Sequence, residues 1–301
     1  MRRPTPPPAI TVAVLMRVPR PRTTPEPSPD RPRAGCGPAR LRHTGEVQRI
    51  VLRSGDAAAT VDVRRGARLA SLRFGGTEVL VTAGSDPVAW GCYPMVPYAG
   101  RVRDARLRFA GRTHDLEPNA GRHAMHGTVF AAPWELDSHD IDSATLVTSL
   151  GPHWPFEGIV VQRFEVSDDG ITMRLAVHAG QDQPVQLGWH PWFLKPARLD
   201  HRCRLMHVRD RAGIATSEVI PVPDEPLDDC LVSGGAEPEL TVRDVDLRLS
   251  SDCSHWVVYD MHDHATCVEP QSGPPNAIND SPDIVPAGSI MSRWFRIVRA
   301  R

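Results

Sequence analysis

Residues 171–179, ITMRLAVHA, place apolar side chains at every second position: Ile171, Met173, Leu175 and Val177. An alternation of period two is typical of a β-strand with one face in the hydrophobic core. Seven other stretches show this alternation or a short apolar run, and Gly, Asp or Asn bound most of them. These are VQRIVLRSG (47–55), AATVDVRRGARLASLRFGG (58–76), TEVLV (77–81), ARLRFAG (105–111), LTVRDVDLRLS (240–250), HWVVYDM (255–261) and RWFRIVRA (293–300).

The strand-like stretches continue from residue 46 to residue 301. They contain no convincing amphipathic helix longer than about two turns, no internal repeat and no break that requires a second domain. Many short strands at short spacing are typical of antiparallel sandwiches and barrels. We therefore predict an all-β domain over residues 46–301, built as a large antiparallel sandwich or barrel.

Residues 1–45 have a different composition, since they hold eleven of the thirty prolines. Proline interrupts helices and sheets, so we expect a disordered, Pro/Arg-rich tail. The apolar run AITVAVLM (9–16) is short for a secretory signal, and RVPRPR follows it in place of a small-residue cleavage site. We favour a dispensable tail over a targeting signal.

The formal net charge of −1 provides no overall field that would attract nucleic acid or a membrane surface. No apolar run approaches the length of a membrane span. The six cysteines include no C-x-x-C pair, so neither a disulfide scaffold nor a zinc ribbon is expected. We expect reduced thiols in a cytoplasmic monomer or homodimer that binds neither nucleic acid nor membrane.

Several loop-like stretches are rich in polar groups that strand alternation does not explain. They are MVPYAGRVRD (95–104) with Arg101, RHAMHGTVFAAPWEL (122–136) with His126, LGWHPWF (187–193) with His190, CVEPQSGPPNAIN (267–279) with Glu269 and Gln271, and, more weakly, EPLDDCLVSG (225–234) with Asp228 and Asp229.

Glu269 follows what resembles the end of a buried strand, where a carboxylate is costly unless it is paired or functional. Burial would raise its pKa toward the range of a general base, although a salt-bridged strand-end glutamate is the plainer interpretation. His190 and His126 could be buried histidines of the core, or they could form an acid–base group with Glu269. Trp189 and Trp192 could form an apolar wall for a sugar ring or simply fill the core.

Metal binding is the rival chemistry, because HAMH (123–126) and MHDHATC (261–267) bring histidines together. Neither has the helical H-E-x-x-H spacing of a zinc enzyme. The chain also lacks a G-x-S-x-G nucleophile turn and a glycine-rich phosphate loop. We therefore expect neither a metal nor a cofactor.

Four segments in this order resemble the aldose 1-epimerases, or galactose mutarotases: PYAGRV (97–102), MHGTVFAAPWEL (125–136), GWHPWF (188–193) and CVEPQSGPPNAIN (267–279). The resemblance covers roughly residues 46–301. It implies a galactose mutarotase-type β-sandwich with a sugar bound in a cleft across one sheet, and an enzyme that interconverts the α and β anomers of a hexose without a cofactor.

The same resemblance implies roles for individual residues. Glu269 would be the general base that takes the proton of the anomeric hydroxyl, and His190 the general acid that protonates the ring oxygen. His126 would polarise the sugar near the ring oxygen, and Arg101 would hold hydroxyl groups. Asp228 is the best match for the substrate-binding aspartate.

Trp192 and Gln271 complete the predicted substrate site, and Asp229 is an alternative to Asp228. The sequence departs from the family pattern at two places: Trp192 replaces a tyrosine, and Pro97 replaces an asparagine. Because the chain resembles a short, divergent branch, the resemblance does not identify the sugar substrate. A hexose 6-phosphate 1-epimerase and a non-catalytic sugar-binding sandwich are the alternatives.

Overall fold

The computed structural model describes residues 48–224 and 226–300, and the predicted tail, residues 1–45, lies outside these ranges. Two short helical turns occur in the described residues, a 3₁₀ turn at Arg103–Ala105 and α1 at Ala277–Asp280. The strands are β1 (Arg49–Ser54), β2 (Ala57–Asp62), β3 (Arg68–Phe74), β4 (Thr77–Glu78), β5 (Cys92–Met95), β6 (Arg101–Val102), β7 (Arg106–Phe109), β8 (Arg112–Asp115), β9 (Ala124–Met125), β10 (Glu135–His139), β11 (Ser143–Ser149), β12 (Gly158–Ser167), β13 (Gly170–Ala179), β14 (Gln183–Pro184), β15 (Gly188–Leu194), β16 (Ala197–Asp200), β17 (Leu205–Arg209), β18 (Ala215–Pro221), β19 (Asp228–Val232), β20 (Glu239–Val242), β21 (Val245–Ser251), β22 (His255–Tyr259), β23 (Ala265–Gln271), β24 (Ile284–Val285) and β25 (Ile290–Arg299).

Two large antiparallel sheets contain most of these strands, and the other six form three two-stranded sheets. The larger sheet has the order β1-β2-β3-β5-β15-β23-β22-β19-β17-β18, with β4 paired to β3. The second sheet has the order β10-β11-β12-β13-β25-β21-β20-β16. The described residues thus confirm the predicted all-β, antiparallel sandwich, and none of their helices is long and apolar enough to cross a membrane.

The core lies between the two sheets, and strand alternation decides which side chains enter it. In β13, Ile171, Met173 and Leu175 are buried, as the alternation of ITMRLAVHA predicts. The ring of Trp189 on the larger sheet lies 6.0 Å from the ring of Phe295 on β25, measured between centroids. The two sheets therefore pack face to face through these side chains.

β15 and β23 are central strands whose two faces are both covered. Nearly every residue of GWHPWFL and every residue of ATCVEPQ is buried. Because neighbouring side chains alternate between faces, Trp189 points into the core while His190 and Trp192 share the opposite face. Continuous burial explains why these segments lack the alternation that marks a half-exposed strand.

The structure corrects three predictions about these polar stretches. LGWHPWF is not a loop but lies largely within β15, and Glu269 does not end a strand but lies inside β23. DDCLV likewise forms β19. Pro191 and Pro270 are the physical reason for the first two errors, since proline lacks a ladder donor and is rare in central strands.

Candidate active site

A cavity of about 350 Å³ opens on the outer face of the larger sheet. This volume is at the lower end of the range of roughly 300–1,000 Å³ that is usual for small-molecule sites. The alternative Asp229 lines it, whereas Trp189 does not. The seven residues predicted to form the site all line it: Arg101, His126, His190, Trp192, Asp228, Glu269 and Gln271. The structure therefore brings together side chains that are up to 170 positions apart in the sequence.

The register of β15 and β23 brings His190 and Glu269 together. Gly188 pairs with Gln271 and Trp192 pairs with Cys267, so the intervening residues place His190 across from Glu269. The Nε2 atom of His190 lies 3.2 Å from Oε1 of Glu269. The amide of Gln271 donates a hydrogen bond of 3.1 Å to the other carboxylate oxygen of Glu269, which fixes the orientation of the carboxylate.

Burial shifts the proton affinities of this pair in opposite directions. It raises the pKa of Glu269 well above its usual value, although the hydrogen bond from Gln271 opposes the shift. It lowers the pKa of His190 well below its usual value, with a further contribution from the neighbouring His126. Each group on its own thus disfavours its charged form. The two in contact can hold one proton between them without burying a net charge.

His126 is held against His190 by an unusual backbone. Its φ is 65°, in the left-handed region that few residues other than Gly, Asn and Asp adopt. The following Gly127 has a φ of 83°, and a Cβ there would lie 2.0 Å from the carbonyl oxygen of Val96. Only glycine fits this turn, which directs the His126 ring edge-on toward His190 with centroids 5.0 Å apart.

His126 is neutral over most of the pH range. Burial, followed by the charge of Arg101, lowers its pKa to about 3. Its Nδ1 atom has no hydrogen-bond partner among the described residues. His126 lines the cavity, so its neutral ring can exchange a hydrogen bond with a bound hydroxyl group.

Aromatic rings fix the imidazole of His190. The Tyr93 ring stacks on it at a centroid distance of 4.9 Å. The Trp192 ring lies nearly parallel to it, at 5.4 Å and 6°. Alternation correctly predicts that Trp192 shares the face of His190, whereas Trp189 fills the core.

A sequence model of the aldose 1-epimerase family matches residues 48–293. The chain belongs to the aldose 1-epimerase family. Among curated proteins, a 106-residue segment is 34% identical to the uncharacterized protein YphB of Escherichia coli K12, and this match covers 34% of the chain and only 36% of that relative.

Solved structures of similar fold support the sandwich architecture of this epimerase-family chain. A galactose mutarotase-like protein of Clostridium acetobutylicum superposes with a TM-score of 0.75 at 15% identity, over 84% of this chain and 95% of that one. An aldose epimerase homologue of C. elegans superposes with a TM-score of 0.74 at 15% identity, over 84% of this chain and 98% of that one. The galactose 1-epimerase of Lactobacillus acidophilus superposes with a TM-score of 0.72 at 16% identity, over 84% of this chain and 94% of that one. At these identities the likeness shows the fold.

The two candidate aspartates of the epimerase-family site share one cation. Arg209 Nη1 lies 2.6 Å from Asp228, and its Nε lies 2.7 Å from Asp229. Both carboxylates line the cavity, and the Asp228 side chain is 37% exposed whereas that of Asp229 is 13% exposed. Asp228 is therefore the more accessible to a ligand, and both remain candidates. Arg209 was not predicted from the sequence, because it reaches the site through the pairing of β17 with β19.

Arg68 lies behind the site and was also missed. Its guanidinium is fully buried and donates to the carbonyl oxygens of Trp90, Pro87 and Phe130 at 2.9, 2.7 and 3.1 Å. It lies 5.2 Å from the centroid of the Tyr93 ring, and burial lowers its pKa to about 10. Arg68 thus supports the aromatic ring that stacks on His190.

The histidine stretches considered as metal ligands do not converge. Nδ1 of His123 accepts a hydrogen bond from the backbone of Asp104, and Nε2 of His262 contacts the hydroxyl group of Tyr259. A different set of donor atoms does converge. Among the described residues, Cys267 is the one cysteine grouped with two other metal-ligand types, namely the imidazole and the carboxylate of the buried pair.

Proposed function

We propose that this chain is an aldose 1-epimerase that interconverts the α and β anomers of a hexose by acid–base catalysis. The observation that supports this proposal most strongly is the 3.2 Å contact between His190 and Glu269 on the floor of a sugar-sized cavity. Ring opening requires one proton to leave the anomeric hydroxyl group and another to reach the ring oxygen. A carboxylate and an imidazole side by side match these two requirements.

In the proposed reaction, the proton that the pair shares lies on His190 at the start, so the carboxylate of Glu269 can accept the proton of the anomeric hydroxyl group. Protonated His190 donates to the ring oxygen as the C1–O5 bond breaks. The open-chain aldehyde rotates about C1–C2, and the reverse transfers close the ring on the other face. Ring opening leaves a proton on Glu269 and removes one from His190. The reverse transfers of ring closure return both groups to their starting states.

The remaining cavity residues would hold the sugar. His126 is a neutral partner for an oxygen close to His190, and Arg101 and Asp228 offer a charged donor and a charged acceptor for hydroxyl groups. Gln271 orients Glu269 through the hydrogen bond already described. Trp192 keeps the His190 ring in place and contributes apolar lining.

The test is polarimetry on freshly dissolved α-D-glucose and α-D-galactose, with wild-type protein and the Glu269→Gln variant compared. We expect the wild type to accelerate mutarotation and Glu269→Gln to lose about 10²–10⁴-fold, the usual contribution of a general acid or base. Glu218→Gln is the matched control, since Glu218 is exposed on β18 away from the cavity.

The other outcomes separate the alternatives. An equally fast and folded Glu269→Gln variant would show that another group is the base. If the wild type is inactive on both sugars but active on α-D-glucose 6-phosphate, the phosphorylated substrate replaces the free hexose. If no anomer is accelerated but sugar raises the melting temperature, the chain is a binding module.

A further inference from the structure

Cys267 belongs to the same buried cluster as the acid–base pair. It lies two residues before Glu269 in β23, so both side chains point to the same face of the sheet. Nε2 of His190, Sγ of Cys267 and a carboxylate oxygen of Glu269 all lie within 4.8 Å of one another. The mechanism proposed above uses the nitrogen and the oxygen and leaves the sulfur unused.

Sulfur, imidazole nitrogen and carboxylate oxygen together suit a borderline or thiophilic divalent cation, and the sulfur disfavours Mg²⁺ or Ca²⁺. Zn²⁺ binds such donors at about 2.0–2.3 Å in a tetrahedron, which places the donor atoms roughly 3–4 Å apart. His190 and Glu269 already meet this spacing at 3.2 Å. The sulfur needs to approach by an ångström or less, which is within the reach of side-chain rotation.

The electrostatic balance also suits a divalent cation. Binding would release the thiol proton of Cys267 and the proton held between His190 and Glu269, and both would pass to the solvent. The two positive charges of the cation then cancel the thiolate and the carboxylate, while the imidazole stays neutral. The cluster is electrically neutral with the cation and without it, as a site of low polarity requires.

We propose that His190, Cys267 and Glu269 form a site for a thiophilic divalent cation such as Zn²⁺, whose fourth coordination position faces the cavity. The bound cation occupies the lone pairs that proton transfer needs, so it acts as a reversible inhibitor and not as a cofactor. The proposed metal binding does not depend on what the protein's substrate is. The proposed inhibition rests on the epimerase function proposed above.

The test of binding uses Co²⁺ as the probe, because a thiolate ligand gives Co²⁺ a charge-transfer absorption in the near ultraviolet and a tetrahedral site gives strong visible bands. The wild type should show both signals, and Cys267→Ala should lose the charge-transfer band and bind Co²⁺ at least roughly 10–100-fold more weakly, the range known for loss of supporting residues alone. Cys230→Ala is the matched control. Cys230 is buried and lines the cavity, but it is outside the cluster.

Glu269→Gln is the second variant, which covers the case that Cys267→Ala does not fold. It should keep the thiolate band and bind Co²⁺ more weakly, since it removes one donor. Retention of the band in folded Cys267→Ala, its loss in Cys230→Ala, or its absence from the wild type would overturn the proposal, as would Co²⁺ affinity in Glu269→Gln equal to that of the wild type.

A polarimetric assay with and without Zn²⁺ separates this proposal from the epimerase function. We expect Zn²⁺ to inhibit the wild type and Cys230→Ala, and a chelator to restore their rates, while Cys267→Ala keeps most of its own metal-free rate. A Cys267-dependent Co²⁺ band in a protein without epimerase activity would refute only the proposed function. Equal Zn²⁺ inhibition of Cys267→Ala and wild type would refute only the proposed site.

Discussion

The variant His126→Asn is expected to make the protein less sensitive to acid. In the folded state the pKa of His126 is about 3, because of burial and the charge of Arg101; in the unfolded chain it is about 6.5. Below a pH of about 6.5, the unfolded chain binds a proton at His126 that the folded protein does not bind. The stability contributed by neutral His126 is therefore complete above that value and is lost as the pH falls toward 3.

The magnitude follows from the two pKa values. Each pH unit below the unfolded value removes about 1.4 kcal/mol from the free energy of unfolding. The loss due to His126 is thus about 2 kcal/mol by pH 5 and about 4 kcal/mol by pH 3. Asparagine removes this titration and tolerates the left-handed backbone of position 126, so the variant should keep the fold.

The assay is urea unfolding followed by tryptophan fluorescence at neutral pH and at about pH 5. Between these conditions the wild type should lose about 2 kcal/mol more than His126→Asn. The acid loss that persists in the variant would come from the other histidines whose pKa values burial lowers, which are His178, His190, His201 and His255. His139→Asn is the control, since its ring is exposed on β10, and it should match the wild type. Equal acid losses for wild type and His126→Asn would refute the reasoning.

Three further predictions concern the pair, the core and the rim of the cavity. The epimerase rate should be bell-shaped in pH. At acid pH, below the usual histidine pKa, the rate should fall because His190 and Glu269 both become protonated. At alkaline pH, above the usual glutamate pKa, the rate should fall because the pair loses its shared proton. Gln162→Met should raise the free energy of unfolding by about 1–3 kcal/mol in urea titrations, because both polar atoms of this fully buried amide have no partner among the described residues. Arg209→Met should raise KM by roughly tenfold, about 1.4 kcal/mol of binding, with a smaller change in kcat. The reason is that Asp228 then loses the guanidinium that holds its carboxylate in position.

Each of these predictions has a control or a contrary result. A rate that changes on only one side of neutral pH would show that a single group, not the pair, limits turnover. Gln181→Met should not stabilise the protein, since Gln181 is exposed, and a destabilised Gln162→Met would indicate a bound water that partners the amide. Arg204→Met, an exposed substitution, should leave KM unchanged. A loss confined to kcat in Arg209→Met would contradict a role in substrate binding.

The fold class was predictable because half-exposed strands leave a periodic record in the sequence, as Ile171, Met173 and Leu175 do. The central strands leave no such record, since both of their faces are buried. Pro191 and Pro270 then made them resemble loops. Hydrogen bonds to strands distant in the sequence overrode this local signal, and no pattern within ten residues reveals such pairing.

The seven predicted cavity residues were found because they lie in four family-like segments and one acidic stretch, and the structure places all of them around one cavity. Tyr93, Arg68 and Arg209 were not found. Tyr93 contacts His190 because β5 pairs with β15 in a register that sets the two residues opposite each other. Such neighbours follow from the order of strands in the sheet, which the sequence alone did not provide.

β15 and β23 are the fifth and sixth of the ten strands in the order of the larger sheet. Their central position affects both local unfolding and tolerance to substitution. Local opening in proteins begins at termini, edges and loops, so transient fraying at β1 or β18 leaves the spacing of His190 and Glu269 intact. Amide protons of these two strands should exchange only in the rarest, near-global openings. Arg209 and Asp228 lie on the more peripheral strands β17 and β19. Under the proposed function, substitutions there would alter the preferred sugar and leave the geometry of His190 and Glu269 unchanged.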